Sequence, residues 1–360
     1  MNKIISKEQF SEKVFKLEIE APLIAKSRRA GHFVIVRVDE KGERMPLTIA
    51  GSNLEKGTIT LVVQTVGLSS TKLCKLNEGD YVLDVVGPLG QATHIQNYGT
   101  VVCAGGGVGV APMLPIIQAL KAAGNRVISV LAGRSKELII LEEEVRASSD
   151  EVIIMTDDGS YGTKGLVTEG IESVIKREKV DKCFAIGPAI MMKFCCLLTK
   201  KYEIPTDVSL NTIMVDGTGM CGACRITVGG KTKFVCVDGP EFDGHQVDFD
   251  EMFKRMGSFK DVEREEMSHL EQHVCKVEPQ AEAKKAECKP CSEKACQMPM
   301  EELLDRKAPW REELRKAMKP KERTAIHRCP MNELDPVYRA TTRTEEVNTG
   351  YTKKQAMTER

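Results

Sequence analysis

The chain has 360 residues, enough for two or three domains, and 41% of them are hydrophobic, enough to form packed cores. Lysine plus arginine and aspartate plus glutamate both total 52, so no net charge favours nucleic acid or an anionic membrane as a partner. Thirteen cysteines behind an N-terminus without an apolar secretory core predict a protein of the reducing cytoplasm. Residues 99–120 are uncharged, but their glycines and prolines favour a strand, a turn and a helix over a membrane span.

Residues 1–96 are predicted to form a small antiparallel barrel. Short runs such as Phe33–Val38 and Thr58–Val63 alternate with glycine and asparagine. One segment of the barrel carries an arginine close to a threonine. A guanidinium beside a hydroxyl suits a diphosphate and the polar edge of a flavin ring, although an ordinary edge strand would also explain these residues. The candidate residues of this flavin site are Arg44, Pro46, Leu47 and Thr48, and a second segment with Gly67, Ser69, Ser70 and Thr71 follows along the chain.

Residues 97–206 are predicted to form a doubly wound parallel sheet that binds a nucleotide. Apolar runs of strand length alternate here with helical segments, which is typical of strands buried on both faces. The runs are Val101–Ala104, Val127–Leu131, Val152–Met155 and Cys183–Ile186. The fold class is therefore β plus α/β.

A glycine-rich turn follows the first of these runs and precedes a helix. Glycine lets the backbone amides at a helix N-terminus come close to a pyrophosphate and bind it. Tight packing of a strand against a helix also requires glycine, which is the structural alternative. Further candidates follow the other strands, because ligands of open parallel sheets bind outside the carboxyl ends of the strands, and an arginine there could meet a 2′-phosphate. The candidate NAD(P)-binding residues are Gly105, Gly106, Gly107, Gly109, Pro112, Arg134, Asp157, Gly187 and Pro188.

Residues 207–256 are predicted to form a compact domain around residues 215–225, which we call the cysteine loop. The spacing Asp-x4-Cys-x2-Cys-x11-Cys can hold a small iron–sulfur cluster, and glycines let backbone amides turn toward sulfide and thiolate. Zinc is less favoured because only one Cys-x2-Cys arm is present, and a reduced core without metal is a further alternative. The carboxylate could also be only a turn residue. The candidate cluster ligands are Asp216, Cys221, Cys224 and Cys236.

Other thiols and short elements are assigned structural roles. A strand pair is predicted around Ile226 and Phe234, followed by a turn-rich stretch at 239–244. Cys195 and Cys196 are predicted to be core thiols of a helix that begins near residue 189.

Residues 257–329 are predicted to be a helical or disordered extension, because charged residues, alanine and proline dominate and apolar periodicity is weak. Four thiols in this linker could hold a second metal, although their spacing matches no reliable ligand pattern. They are Cys275, Cys288, Cys291 and Cys296.

The order of these motifs over residues 1–250 resembles the ferredoxin–NADP reductase superfamily. The resemblance implies FAD bound by both barrel segments, at 44–48 and 67–71, and a nicotinamide nucleotide on the parallel sheet. The cysteine loop is similar to that of electron-transfer subunits of dihydroorotate dehydrogenase B, which have a cysteine at the position of Asp216. Three cysteines with one aspartate more closely resemble the small (alpha) subunits of NADH-dependent reduced ferredoxin:NADP oxidoreductase, also named sulfide dehydrogenase, whose [2Fe-2S] cluster has those ligands. Related NAD-specific subunits carry an Arg-Ser-Lys like that at 134–136, so NAD(H) is favoured over NADP(H).

Residues 330–360 are similar to the opening of glutamate synthase small subunits and of the large (beta) subunit of the same oxidoreductase. The similarity rests on the segments 328–336 and 345–352. In those proteins the cysteines of [4Fe-4S] clusters follow shortly afterward. We expect either a truncated fusion of the two subunits or a short docking tail.

The motifs and the resemblance together predict an electron-transfer subunit. FAD would exchange hydride with NAD(H) and single electrons with the [2Fe-2S] cluster, so no side chain is assigned as a catalytic acid or base. The implied partner is a large subunit with FAD and [4Fe-4S] clusters, which would reach ferredoxin in a bifurcating transhydrogenase; no nucleic acid or membrane is expected. The alternatives are the electron-transfer subunit of dihydroorotate dehydrogenase B and a non-catalytic protein that senses metal or redox state.

Overall fold

A computed structural model describes residues 1–274 of the chain. The four thiols predicted for the linker and the segment 330–360 lie outside the described residues. Within residues 1–274, no helix is both long enough and apolar enough to cross a membrane.

The N-terminal part is an antiparallel sheet that closes nearly into a barrel, as predicted. Its elements are β1 (Asn2–Ser11), β2 (Val14–Glu20), α1 (Pro22–Ser27), β3 (Phe33–Arg37), β4 (Met45–Asn53), β5 (Thr58–Gln64), α2 (Leu68–Lys75), β6 (Tyr81–Val82) and β7 (Asp84–Leu89). The strand order is β6-β1-β2-β5-β4-β3-β7. Alternating side chains of β2 and β5, among them Leu17, Ile19 and Leu61, are fully buried and form the core of the barrel.

The second part is a parallel sheet with helices on both faces. Its elements are β8 (Thr100–Gly106), α3 (Val110–Ala122), β9 (Arg126–Gly133), α4 (Glu142–Ser148), β10 (Glu151–Thr156), β11 (Thr163–Lys164), α5 (Val167–Ile175), β12 (Lys182–Ile186), α6 (Ala189–Lys201) and β13 (Thr206–Ser209). Strands β11-β10-β9-β8-β12-β13 lie in that order and pair in parallel. The predicted doubly wound sheet is confirmed, and Cys195 and Cys196 are buried on α6 as predicted.

The remaining elements surround the cysteine loop and follow it. They are β14 (Arg225–Val228), β15 (Lys231–Phe234), α7 (Val235–Asp238), β16 (Glu241–Asp243), α8 (Phe249–Met256) and α9 (Lys260–Val274). The strand pair predicted around Ile226 and Phe234 is confirmed as the hairpin of β14 and β15.

The sheet extends further than the sequence-based boundary at residue 207. Strand β13 lies on both sides of that boundary, and β16, within the predicted turn-rich stretch, pairs antiparallel with β13 at the edge of the sheet. These strands are short and mostly polar, and β16 follows a glycine and a proline, so a turn explains its sequence equally well. Only pairing with β13 makes the segment a strand.

Candidate functional site

The first predicted flavin segment lies at the start of β4. Residues 46–48 pair with β3, and β4 is an interior strand between β5 and β3, so an ordinary edge strand is the wrong interpretation. Arg44 precedes the strand. Its guanidinium donates from Nε to the carbonyl oxygen of Val215 at 2.7 Å and from Nη2 to that of Asp216 at 3.2 Å. The flavin segment is therefore in direct contact with the cysteine loop.

The second predicted flavin segment forms the N-terminal turn of α2 and comprises Gly67, Ser69, Ser70 and Thr71. The hydroxyl of Ser69 donates to the carboxylate of Glu43 at 2.5 Å, so the two segments are joined. Amides at a helix N-terminus attract an anion, as a diphosphate site requires. The adjacent side chains of Glu43 and Arg44 thus connect α2 on one side and the cysteine loop on the other.

The glycine-rich turn joins β8 to α3 as predicted, and part of its glycine content is structural. A Cβ atom on Gly109 would lie 2.5 Å from the carbonyl oxygen of Ile186, so no side chain fits there. By contrast, Gly107 has a φ of +54°, and a Cβ atom there would have no neighbour within 4 Å. The turn therefore packs tightly on its inner side and leaves open space on its outer side, where a ligand can approach bare backbone.

The nine predicted nucleotide-binding residues lie at one edge of the sheet. Arg134, Asp157 and Gly187 follow the carboxyl ends of β9, β10 and β12; β9 and β12 are the neighbours of β8, and β10 lies next to β9. A Cβ atom on Gly187 would lie 3.2 Å from the Cα atom of Gly106, so two of the turns touch. The structure brings together the glycine turns, and the exposed side chain of Arg134 lies at the rim.

The carboxylate of Asp216 is the centre of the hydrogen bonds in the cysteine loop. One oxygen accepts the amide of Thr218 at 2.9 Å and also its hydroxyl, and the other accepts the amides of Met220 and Cys221, both at 3.1 Å. These bonds, with the Thr218 hydroxyl foremost, hold the pKa of Asp216 well below its usual range. The group is thus ionised, as a metal ligand must be, and it also organises the turn.

The four predicted ligands form two pairs. Asp216 is hydrogen-bonded to the amide of Cys221, and the Sγ atoms of Cys224 and Cys236 lie 3.2 Å apart. Burial, together with the neighbouring Cys224 thiol, raises the pKa of Cys236 to about 12. Cys224 and Cys236 are buried, whereas Cys221 is exposed.

This pairing fits a two-iron cluster better than a single zinc ion. A [2Fe-2S] cluster has four protein ligands, two on each iron, whereas zinc requires its ligands around one point. Within residues 1–274, no three His, Cys, Asp or Glu side chains are grouped closely enough to hold one metal ion.

Positive backbone φ angles shape the cysteine loop. Gly217 and Gly219 have φ angles of +82° and +87°, a region that disfavours other residues. A Cβ atom on Gly217 would lie 2.9 Å from Ile35 Cγ1 and 2.9 Å from Leu89 Cδ1, both of which belong to the barrel. Close approach of the loop to the barrel therefore requires glycine at this position.

Two further arginines donate to carbonyl oxygens of the cysteine loop and were missed by sequence reasoning: Arg225, the last residue of the loop, and Arg255 of α8. Arg225 donates from Nη1 to the carbonyl oxygen of Gly222 at 3.1 Å, and Arg255 of α8 donates from Nη2 to that of Ala223 at 2.9 Å. The position of Arg225 next to the last cysteine of the loop is a usable signal in the sequence. No motif indicates Arg255, because its contact depends on how α8 packs.

Glu241 is a half-buried carboxyl group that also carries no sequence signal. It accepts a hydrogen bond from the hydroxyl of Thr93 at 2.7 Å, and Gly31 lies close to it. Burial raises the pKa of Glu241 to about 7. The group lies where β16 meets the segment that links barrel and sheet.

Comparison with known proteins identifies the family. Residues 211–248 match the model of the iron–sulfur cluster binding domain of dihydroorotate dehydrogenase B. A homologue of that enzyme's electron-transfer subunit in Thermotoga maritima is 49% identical over 264 residues, covering 73% of this chain and 93% of that protein. The chain belongs to the family of dihydroorotate dehydrogenase B electron-transfer subunits and their homologues.

One further relative and one solved structure are also similar to this chain. The electron-transfer subunit of dihydroorotate dehydrogenase B from Desulforamulus reducens is 31% identical over 253 residues, covering 68% of this chain and 96% of that protein. A chain of the solved NADH-dependent reduced ferredoxin-NADP oxidoreductase, described in connection with flavin-based electron bifurcation, is 47% identical with a TM-score of 0.72. That match covers 75% of this chain and 98% of the other.

Proposed function

We propose that this family member relays electrons between a nicotinamide nucleotide and a one-electron partner, as a subunit of a ferredoxin:NADP oxidoreductase complex. When bound, a flavin accepts two electrons as hydride and releases them singly, which is the conversion needed between a nicotinamide and a [2Fe-2S] cluster. The residues of the chain contribute binding and position, and none is assigned as a catalytic acid or base.

The flavin would be held by the two barrel segments. Arg44 uses two of its five N–H groups on the cysteine loop, which leaves three for an anionic group. The N-terminal turn of α2 offers hydroxyls and backbone amides to the same anion. Thr48 and its neighbours on β4 would meet the polar edge of the ring.

The contact between Arg44 and the cysteine loop is the observation that carries this proposal. It joins a predicted flavin residue to the carbonyl oxygen of a predicted cluster ligand, at positions 44 and 216. The approach of Gly217 to Ile35 and Leu89 supports the same contact between loop and barrel. Electron transfer between two cofactors requires a short distance, and this contact supports a flavin site and a cluster site that lie next to each other.

The proposed nucleotide site is the carboxyl edge of the parallel sheet. The open backbone at Gly107 and the N-terminus of α3 would bind the pyrophosphate. Asp157, Gly187 and Pro188 would border the same cleft. We propose NAD(H) as the nucleotide, with Arg134 exposed at the rim, and steady-state kinetics with NADH and NADPH would test this preference directly.

We further propose a large partner subunit with its own FAD and [4Fe-4S] clusters, and ferredoxin as an indirect partner. The similarity over nearly the full length of a chain of the oxidoreductase supports this assembly. The eight cysteines among residues 1–274 are free thiols, which supports a reducing cytoplasm.

A second candidate is the electron-transfer subunit of a dihydroorotate dehydrogenase B. The match of residues 211–248 to the iron–sulfur domain of that enzyme favours it. The relay would be the same, and only the partner would differ. Asp216 at a position where that subunit has a cysteine favours the first candidate, a subunit of a ferredoxin:NADP oxidoreductase.

The decisive experiment compares the wild type with Asp216→Ala after anaerobic purification. Iron, zinc, sulfide and flavin are quantified, and electron paramagnetic resonance spectra are recorded after reduction. We expect two irons for each FAD in the wild type and a [2Fe-2S] signal that is altered or lost in Asp216→Ala.

Asp238→Ala is the matched control, because Asp238 binds the amide of Phe234 at 2.7 Å close to Cys236 but is not a predicted ligand. Its signal should stay that of the wild type. Zinc without flavin in the wild type would contradict the whole proposal, and an unchanged signal in Asp216→Ala would remove only the aspartate from the ligand set.

A further inference from the structure

The cysteine loop is held at both ends by guanidinium groups that belong to other elements. At its start, Arg44 donates to the carbonyl oxygens of Val215 and Asp216 at 2.7 and 3.2 Å. At its far end, Arg255 donates to the carbonyl oxygen of Ala223 at 2.9 Å. These contacts span 171 and 32 positions of sequence, so they fix the loop against two separate parts of the fold.

Arg255 reaches the loop from a helix that is firmly packed. Phe249 and Met252 of α8 are 6% and 1% exposed, and the side chain of Asp248 caps the helix by accepting the amide of Glu251 at 2.9 Å. Within residues 1–274, neither Arg44 nor Arg255 forms an ion pair with a carboxylate. Both guanidinium groups therefore carry their charge at the loop without a direct ion pair.

The hydrogen bonds to carbonyl oxygens also orient the amides of the loop. In a trans peptide group the C=O and N–H bonds point in opposite directions. Because the guanidinium of Arg255 binds the carbonyl oxygen of Ala223, the N–H group of Cys224 in the same peptide group points away from that guanidinium. Likewise, binding of the oxygen of Asp216 turns away the amide of Gly217. Both amides are thereby directed away from the guanidinium groups.

We propose that Arg44 and Arg255 are positioning residues that clamp the two ends of the cysteine loop and raise the reduction potential of the cluster it holds. Reduction adds a negative charge to the cluster, which a nearby cation stabilises, and hydrogen bonds near the sulfur ligands act in the same direction. This inference rests on the proposed function. It assigns Arg44 a role at the loop in addition to the flavin, and it assigns Arg255 a role that no sequence motif indicates.

Arg255→Gln is the central variant, because Arg255 belongs to neither predicted flavin segment. We expect its FAD content to equal that of the wild type. Its midpoint potential, from a redox titration followed by electron paramagnetic resonance, should shift to a more negative value. Iron loss to a chelator should become about tenfold faster or more, because removal of groups that hold metal ligands lowers metal affinity by about ten- to a hundredfold.

Arg255→Lys and Arg44→Lys separate charge from geometry. Each keeps the positive charge but replaces a planar fork with a single ammonium group. We expect the midpoint potential to return toward the wild-type value, while iron loss stays faster than in the wild type. Arg126→Gln is the matched control, because Arg126 at the start of β9 pairs with Glu178 at 2.8 Å and with Glu151 at 3.8 Å, and neither partner belongs to the cysteine loop. It should leave both cluster measurements unchanged.

The outcomes separate this inference from the proposed function. A wild type without a [2Fe-2S] signal contradicts the proposed function and the inference with it. A wild type with the signal, whose potential and iron loss are the same in Arg255→Gln, contradicts the inference alone. If Arg255→Gln does not accumulate as folded protein, Arg255→Lys decides, since unchanged iron loss in that variant also contradicts the clamp.

Discussion

The parallel sheet and the cysteine loop are held in place by different forces. Along β8, Val101 and Cys103 are buried against α3, and Val102 and Ala104 are buried on the opposite face. In the cysteine loop, Met220 is 89% exposed, and hydrogen bonds to carbonyl and carboxylate oxygens replace apolar packing. A substitution in the sheet should therefore act by changing the side-chain volume in the core. A substitution in the loop should act by removing a hydrogen-bond donor or acceptor.

The two regions also differ in where their determinants lie along the sequence. The buried strands follow from apolar runs a few residues long, whereas Arg44 contacts Val215 across 171 positions. Local pattern is enough for the first region. The cysteine loop needs specific polar partners from distant segments, and the sequence alone does not show which residues these are.

Gly109→Val should have the largest effect, because it tests tight packing at the glycine turn. Its Cβ atom would lie 2.5 Å from the carbonyl oxygen of Ile186, and a backbone atom cannot yield as the end of a side chain can. We expect a loss of about 3 kcal/mol in the free energy of unfolding, measured by urea denaturation. Gly67→Ala is the control, since a Cβ atom there would have no neighbour within 4 Å. Equal stability of the two variants would contradict a volume-controlled sheet.

Glu241→Gln tests the edge of the parallel sheet, where β16 meets the segment that contains Thr93. Because burial raises the pKa of Glu241 from 4.5 to about 7, the folded state binds more protons than the unfolded state between these values. Its contribution to stability therefore falls as pH rises through that window, by about 3 kcal/mol in total. Glutamine keeps the acceptor for Thr93 and does not titrate.

The free energy of unfolding of Glu241→Gln should accordingly exceed that of the wild type only slightly at pH 5 and by more at pH 8. Urea denaturation at the two pH values measures this difference. Glu8→Gln is the control, because the side chain of Glu8 is 59% exposed. A difference that does not grow with pH would show that Glu241 is not buried as described.

Thr218→Val should have the smallest effect, confined to the cysteine loop. It removes the hydroxyl that donates to the Asp216 carboxylate but keeps the volume and the backbone amide. We expect hydrogen exchange at the amides of Met220 and Cys221 to become about threefold to tenfold faster. Thr218→Ser retains the hydroxyl and should exchange as the wild type does. Faster exchange throughout the parallel sheet instead would mean that the two regions are not independent.

Much of the fold could be predicted from the sequence because its signals are local. The apolar runs at 127–131 and 183–186 became β9 and β12, and the glycine turn joins a strand to a helix. The predicted site residues gather at the cysteine loop, the start of β4 and the carboxyl edge of the sheet, but their ligands remain predictions.

Other features could not be predicted, for identifiable physical reasons. Strand β16 reads as a turn because its sequence is short and polar, and its conformation depends on β13. The roles of Arg255 and Glu241 depend on tertiary packing, which a charged side chain in a single sequence does not reveal. Arg44 carries a motif, yet that motif indicates an anion and gives no sign of the contact with Val215.

The connection between β13 and β16 has a consequence for how this family can vary. The amide of Leu210 donates to the carbonyl oxygen of Pro240 at 2.9 Å, so the intervening segment leaves the sheet and returns to it at one hydrogen-bonded pair. The cysteine loop and its hairpin are thus an insertion whose two ends are pinned together. Since each doubling of a loop's length costs only about 0.6 kcal/mol in closure entropy, such an insertion can lengthen or shorten while the underlying sheet stays the same.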